Sequence, residues 1–170
     1  MPDDPNAARS WLDAQEKTDR KNARIIDRII MALPRELTPQ NWQRLVRGFA
    51  DDLTQDQAAW LSAIHAAGAD AGNPHVHLII RDRHPDTGKR VAKLSDKGAV
   101  ERVRLLWEQC CNRALEAAGR AERIDRRSHA ARGIETPPQR HRGPVRPSRA
   151  PEGSVVVDHQ PGHATGQSGR

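Results

Sequence analysis

The stretch AIHAAGADAGNPHVHLIIRDR, residues 63–83, constrains the fold more than any other part of the 170-residue chain. In an extended strand, successive side chains point to opposite faces. HVHLII therefore puts His75, His77 and Ile79 on one side and Val76, Leu78 and Ile80 on the other. The second side is fully apolar and needs a covering layer. AAWLSAIHA, just upstream, has strand length, and the Gly-rich loop GADAGNP joins the two as an antiparallel hairpin. Loops of that length are often functional. In such a hairpin the end of the first strand, with His65, lies beside the start of the second, with His75 and His77. Residues i and i+2 of a strand stand roughly 6.6 Å apart, a span two imidazoles can close around one ion. Three imidazoles with coordination positions left open make the donor set of a catalytic metal site. Three ordinary half-buried histidines would leave the same letters, and the residues alone keep both readings open.

The other elements follow from periodicity and punctuation. Ile25, Ile26, Ile29, Ile30 and Leu33 fall at helical spacing, which predicts a helix from about Trp11 to Leu33, ended by Pro34. TPQNWQRLVRGFADDL opens a second helix, with Thr38 as cap, Pro39 in the first turn, and Trp42, Leu45, Val46, Phe49 and Leu53 as its apolar stripe. AVERVRLLWEQCCNRALEAAG is a third, with Val100, Val103, Leu106, Trp107, Cys110, Ala114 and Leu115 along one side and Gly119 at its end. Trp107 falls on that stripe, which marks it for packing rather than base stacking. PDTGKR is a turn, and His84 beside it is expected to be exposed. One hairpin with an apolar face, and three amphipathic helices to cover it, predict an α+β domain: an antiparallel sheet with helices on one face and the histidines on the other.

Composition narrows the function. No run of about 18 apolar residues marks a membrane span, and MPDDPNAARS lacks the apolar core of a signal peptide. Cys110 and Cys111 are adjacent in a helical pattern, so they build neither a disulfide framework nor a metal cage, and the expectation is a reduced, cytoplasmic protein. Residues 1–119 carry 18 Lys+Arg against 17 Asp+Glu, whereas residues 120–170 carry 10 against 5. That asymmetry fits a polyanionic partner, nucleic acid in the simplest case, or a solvated arginine-rich tail. Arg123, Arg126, Arg127 and Arg132 in RIDRRSHAAR are the candidate phosphate contacts. From about Pro144 the chain is dominated by Pro, Gly, Ser, Gln and Arg, predicting a domain over residues 1–144 and a disordered basic tail over 145–170. His129, His141, His159 and His163 read as loop or tail residues. His-Glu-x-x-His, a Walker loop and Gly-x-Gly-x-x-Gly are all absent. A histidine-triad hydrolase would need histidine at Ile79, and a two-histidine phosphoesterase would need a second His-x-Thr or His-x-Ser.

Five landmarks, in order, resemble one family: DRKNARIIDRIIMALPRELT; AIHA with its Gly-rich loop and NPHVHLII; LLWEQCCNRALEAAG; RIDRRSHAARGI; and PPQRHRGP. From about Ser10 to Pro144 the chain resembles the MobA/MobL mobilization proteins, plasmid relaxases of the MOBQ class in the HUH endonuclease superfamily. The ALP-x-EL and NPH-x-H elements carry most of the specificity. The resemblance implies a Rep/relaxase-type fold with His65, His75 and His77 as ligands of one divalent ion, Mg²⁺ or Mn²⁺ with Zn²⁺ as the alternative. In the family that ion polarises the scissile phosphate at a plasmid origin of transfer, and a tyrosine forms a covalent 5′-phosphotyrosine. The implied partners are single-stranded origin DNA, accessory mobilization proteins and a type IV coupling protein. Two departures stand out. The chain contains no tyrosine, and the family's nucleophile and first strand lie upstream of anything resembled, so no catalytic residue is assigned. The expectation is an N-terminally truncated, catalytically incomplete relaxase with an exposed sheet edge, marginally stable or dimeric, and the alternative is a non-catalytic DNA-binding or accessory remnant. Where the family carries acidic residues before ALP, this chain has Arg28 and Ile30; Asp19 and Asp27 remain on the same expected helix.

Overall fold

The protein is described by a computed structural model that covers residues 4–19, 21, 23–67 and 72–135. The chain divides into two units, Met1–Ser128 and His129–Arg170. In the second, the described part holds a 3-10 turn at Ala130–Arg132. PPQRHRGP, the tail and the expected boundary after Pro144 lie outside the described residues.

The first unit runs α1 (Pro5–Thr18), β1 (Asp27–Ala32), α2 (Pro39–Thr54), β2 (Trp60–His65), β3 (His75–Ile80) and α3 (Ala99–Ala117). Its sheet has the order β1-β3-β2, antiparallel throughout. The hairpin β2–β3 is as expected. The long helix over Trp11–Leu33 is not: it breaks into α1 and β1. Asp4 caps α1 by accepting from the Ala7 amide at 2.8 Å. The isoleucines that satisfied helical spacing belong to a strand in which Met31 and then Leu33 are buried, while Arg28, Ile30 and Ala32 are exposed. A run this short and this rich in β-branched residues fits either period. The partner decides: β3 offers Val76, Leu78 and Ile80, and β1 pairs with it from Asp27↔Ile80 to Ala32↔His75.

α2 starts as expected, with Thr38 Oγ1 accepting from the Asn41 amide at 3.3 Å. Val46 and Phe49 of α2, Cys111 and Leu115 of α3, and Val76, Leu78 and Ile80 of β3 are almost completely buried in one core. Phe49 meets Trp107 edge-on, with centroids 5.0 Å apart, so Trp107 packs as its stripe predicted. The α3 stripe is rotated from expectation: Cys111 is fully buried and Val100 is 61% exposed. α2 and α3 thus cover one sheet face, without α1 in that core, and β3 alternates between half-buried and buried along its whole length. Beyond β3, Asp82 organises the loop to α3, its carboxylate accepting from the amides of Val91 (2.9 Å), Ala92 (2.7 Å) and Leu94 (3.4 Å). His84 is half-buried rather than exposed, because its Nδ1 accepts from the amides of Asp86 and Thr87 and closes the turn.

Candidate metal centre on the open sheet face

The face of the sheet opposite α2 and α3 is built from alternate residues of three strands. Register puts His65 of β2 directly opposite His75 of β3, and His77 between Ala63 of β2 and Ile30 of β1. Alternation along β3 and pairing across the hairpin therefore deliver three imidazoles to one end of the central strand. Ring centroids are 4.9 Å apart for His65–His77, 5.2 Å for His65–His75 and 5.3 Å for His75–His77. With nitrogen–metal distances of about 2.1 Å, three imidazoles around one ion have centroids roughly 4.5–5.3 Å apart. The spacing and donor chemistry fit an ion, but the ring orientations are not those of a closed site. His65 and His75 are nearly parallel, at 12°, and among the described residues no three His, Cys, Asp or Glu side chains stand ready to hold one. The strand register brings the three rings to one end of the central strand.

His75 is oriented from behind. Its Nδ1 lies 2.9 Å from the carbonyl oxygen of Asn73. With that nitrogen donating, Nε2 carries the lone pair, the usual way a ligating histidine is set. Pro74 fixes the backbone between them. Arg35, which the sequence did not single out, donates to the carbonyl of Gly72 and ties the turn after β1 to the loop that leads into His75. Nothing in the letters distinguishes Arg35 from the other surface arginines; its role depends on where the loop returns.

The acid positions are resolved too. Ile30 sits beside His77 and Arg28 beside Ile79 on the histidine face, so this part of the cluster has apolar and basic neighbours. Asp27 is at the far end of β1, opposite Ile80, and pairs with Arg24 at 2.7 Å. Asp19 is held by Arg81, at 2.8 and 3.0 Å. Neither acid reaches the histidines.

The candidate phosphate-binding arginines are placed differently from one another. Arg123 donates to the carbonyls of Arg120 and Glu122. Arg126 has its backbone amide on Glu108 at 3.1 Å and its guanidinium 3.8 Å from the same carboxylate. Arg127 forms a fork with Asp125, at 2.7 to 3.1 Å. Arg132 belongs to the 3-10 turn of the second unit.

Comparison with known proteins gives this architecture a family. The MobA/MobL sequence model matches residues 5–93 and 84–149. The chain belongs to the MobA/MobL family. It is 35% identical to mobilization protein A of Escherichia coli over 85% of this chain and 23% of that protein. With mobilization protein MobL of Acidithiobacillus ferridurans it shares 31%, over 81% of this chain and 46% of the other. With the 43 kDa relaxation protein of Salmonella typhimurium it shares 30%, over 72% and 40%. The chain thus spans about a quarter to a half of the length of these relatives. A solved structure described as "Molecular Basis of Vancomycin Resistance Transfer in Staphylococcus aureus" superposes with a TM-score of 0.55 at 26% identity, over 68% of this chain and 62% of that one. The α+β fold of MobA/MobL type expected from the landmarks is the fold observed. No helix among the described residues is long and apolar enough to cross a membrane.

Proposed function

We propose that this chain acts in plasmid mobilization as a metal-binding, single-stranded-DNA-binding domain that holds DNA at an origin of transfer without joining it covalently. The observation that carries the reading is the convergence of His65, His75 and His77 on the face of a MobA/MobL sheet opposite α2 and α3. The three imidazoles would hold a divalent ion, Mg²⁺ or Mn²⁺ with Zn²⁺ as the alternative. Such an ion supplies Lewis-acid polarisation of a phosphate oxygen. The chain's own part is to present neutral nitrogens, to fix the His75 tautomer through Asn73, and to leave the sheet face open to a strand of DNA. Arg123, Arg126, Arg127 and Arg132 are the proposed backbone contacts. Attack on phosphorus needs a nucleophile, and this chain has no tyrosine, which favours holding over nicking. Accessory mobilization proteins and a coupling protein are the partners this role calls for.

Two measurements test the proposal. Mn²⁺ is titrated into the chain and into a His75→Ala/His77→Ala variant; the variant is expected to lose one site, and equal binding by both overturns the metal assignment. Labelled single-stranded origin DNA is then incubated with the chain and Mn²⁺ and run on a denaturing gel. No protease-sensitive shifted band is expected; such a band would show that the chain nicks and joins.

A further inference from the structure

The strand register lines up three rows of side chains on the face that carries the histidines, because residues paired across an antiparallel ladder share a face. The first row holds His65 and His75, the second His77 with Ile30, and the third Arg28 with Ile79 and Leu61. No row contains a carboxylate. Arg28 is the one side chain in them that is charged at every working pH, and it is exposed. The acids of its own segment are engaged elsewhere: Asp27, on the opposite face, pairs with Arg24, and Asp19 pairs with Arg81. Arg28 and His77 are opposite corners of a four-residue square, roughly 4.8 Å by 6.6 Å at the backbone. Its other corners, Ile30 and Ile79, are apolar.

We infer that Arg28 holds a nucleic-acid phosphate, the neighbour of the phosphate that meets the histidine cluster. The inference rests on the reading of this face as one that holds DNA, and it names a contact which that reading leaves unassigned. A guanidinium presents a planar fork of donors that matches two oxygens of a phosphate. With no carboxylate in the three rows to answer it, its complement on this face is an anion brought by the ligand. Consecutive phosphates of an extended single strand span the diagonal of the square once the length of the arginine side chain is added. The apolar corners then face the sugar between those phosphates. Arg28 also repels a bare divalent ion at the histidines, whereas a phosphate attracts both. Its charge therefore acts in opposite directions on the ion and on DNA, which a purely structural role does not.

Thymidine 5′-monophosphate carries one phosphate and the dinucleotide pTpT carries two, so the pair separates the two positions. Both are titrated into the full chain by calorimetry, with and without Mn²⁺. Wild type is expected to bind pTpT about tenfold more tightly than the mononucleotide. Arg28→Gln is expected to lose most of that advantage while binding the mononucleotide as wild type does. Arg28→Lys keeps the charge without the fork and is expected to retain part of it. Arg28→Glu is expected to abolish the advantage and, with no nucleotide present, to tighten Mn²⁺ binding about threefold. Circular dichroism identifies any variant that has unfolded. A pTpT advantage that survives Arg28→Gln, or no advantage in wild type, overturns the inference; Mn²⁺ bound by wild type and lost in His75→Ala/His77→Ala would then leave the metal reading standing. An Arg28 effect of equal size with and without Mn²⁺ supports the inference and counts against the metal reading alone.

Discussion

At the residue scale, one ion pair, Arg81 with Asp19, joins two residues that nothing in the sequence paired. Arg81 is nearly buried, its side chain 8% exposed, and clamps Asp19, itself 15% exposed, while also donating to Gln15 at 3.2 Å. The hydrogen bond from Arg81, aided by the charges of Arg81 and Arg83, holds the Asp19 carboxyl below its usual range against the opposing effect of burial. A carboxyl whose folded value is depressed binds its proton more readily when unfolded. Its contribution is therefore present above the unfolded value of about 3.9 and is lost as pH falls through the lower folded value. Thermal unfolding from pH 6 down to pH 3 is expected to show a falling Tm for the wild type and a shallower fall for Asp19→Asn. Removing Arg81 instead leaves a largely buried carboxylate without its partner, and Arg81→Ala is expected to cost about 3 kcal/mol in urea unfolding. The two cysteines behave as core. Burial, with a smaller effect from neighbouring Cys110, pushes the Cys111 thiol up to about 12, and burial also raises Cys110. A thiol reagent at pH 8 is expected to titrate both only after the chain is unfolded. His75 and His77 were legible because strand alternation alone puts them together. Arg81 and Arg35 were not, because their roles come from segments far apart in the chain.

At the element scale, legibility followed the number of independent signals. α2 carried a cap, a proline and a five-residue stripe, and it begins as expected. β3 carried strict alternation, and each of Val76, Leu78 and Ile80 is buried. β1 carried a single ambiguous run of isoleucines with no cap or turn before it, and its state was set by a partner almost fifty residues on. The α3 stripe was right in kind and rotated in detail, because Cys111 fills the core more closely than Val100 does. Alternation on β3 gives a sharp energetic contrast. Leu78 is fully buried in the core while Ile79 beside it lies on the open face. Leu78→Ala is expected to destabilise by about 2–5 kcal/mol through lost burial and a residual cavity. Ile79→Ala is expected to cost clearly less, about 1 kcal/mol. Urea unfolding of the two variants side by side measures this; equal costs would mean that the histidine face is covered after all.

At the scale of the whole molecule, the excess of positive charge lies in residues 120–170, and the structure grades the arginines within its described part. Association with single-stranded DNA releases condensed counterions, changing the log–log salt slope by about 0.7 for each phosphate neutralised. An arginine already forked onto a carboxylate brings little net charge to a phosphate unless that pair opens. Arg127 is so paired with Asp125, and Arg126 stands beside Glu108. Arg123 instead has its Nη1 on two neutral carbonyls, leaving its charge uncompensated by those contacts. Of the proposed contacts in the first unit, Arg123 is therefore expected to matter most. Binding of labelled single-stranded DNA by fluorescence anisotropy at a series of salt concentrations separates them. Arg123→Gln is expected to reduce the magnitude of the slope by about 0.7, and Arg127→Gln by much less. Asp125→Asn is expected to strengthen binding and steepen the slope, because it frees the Arg127 guanidinium. A slope unchanged by Arg123→Gln would remove this segment from the proposed interface and shift the electrostatic contact to the residues beyond it.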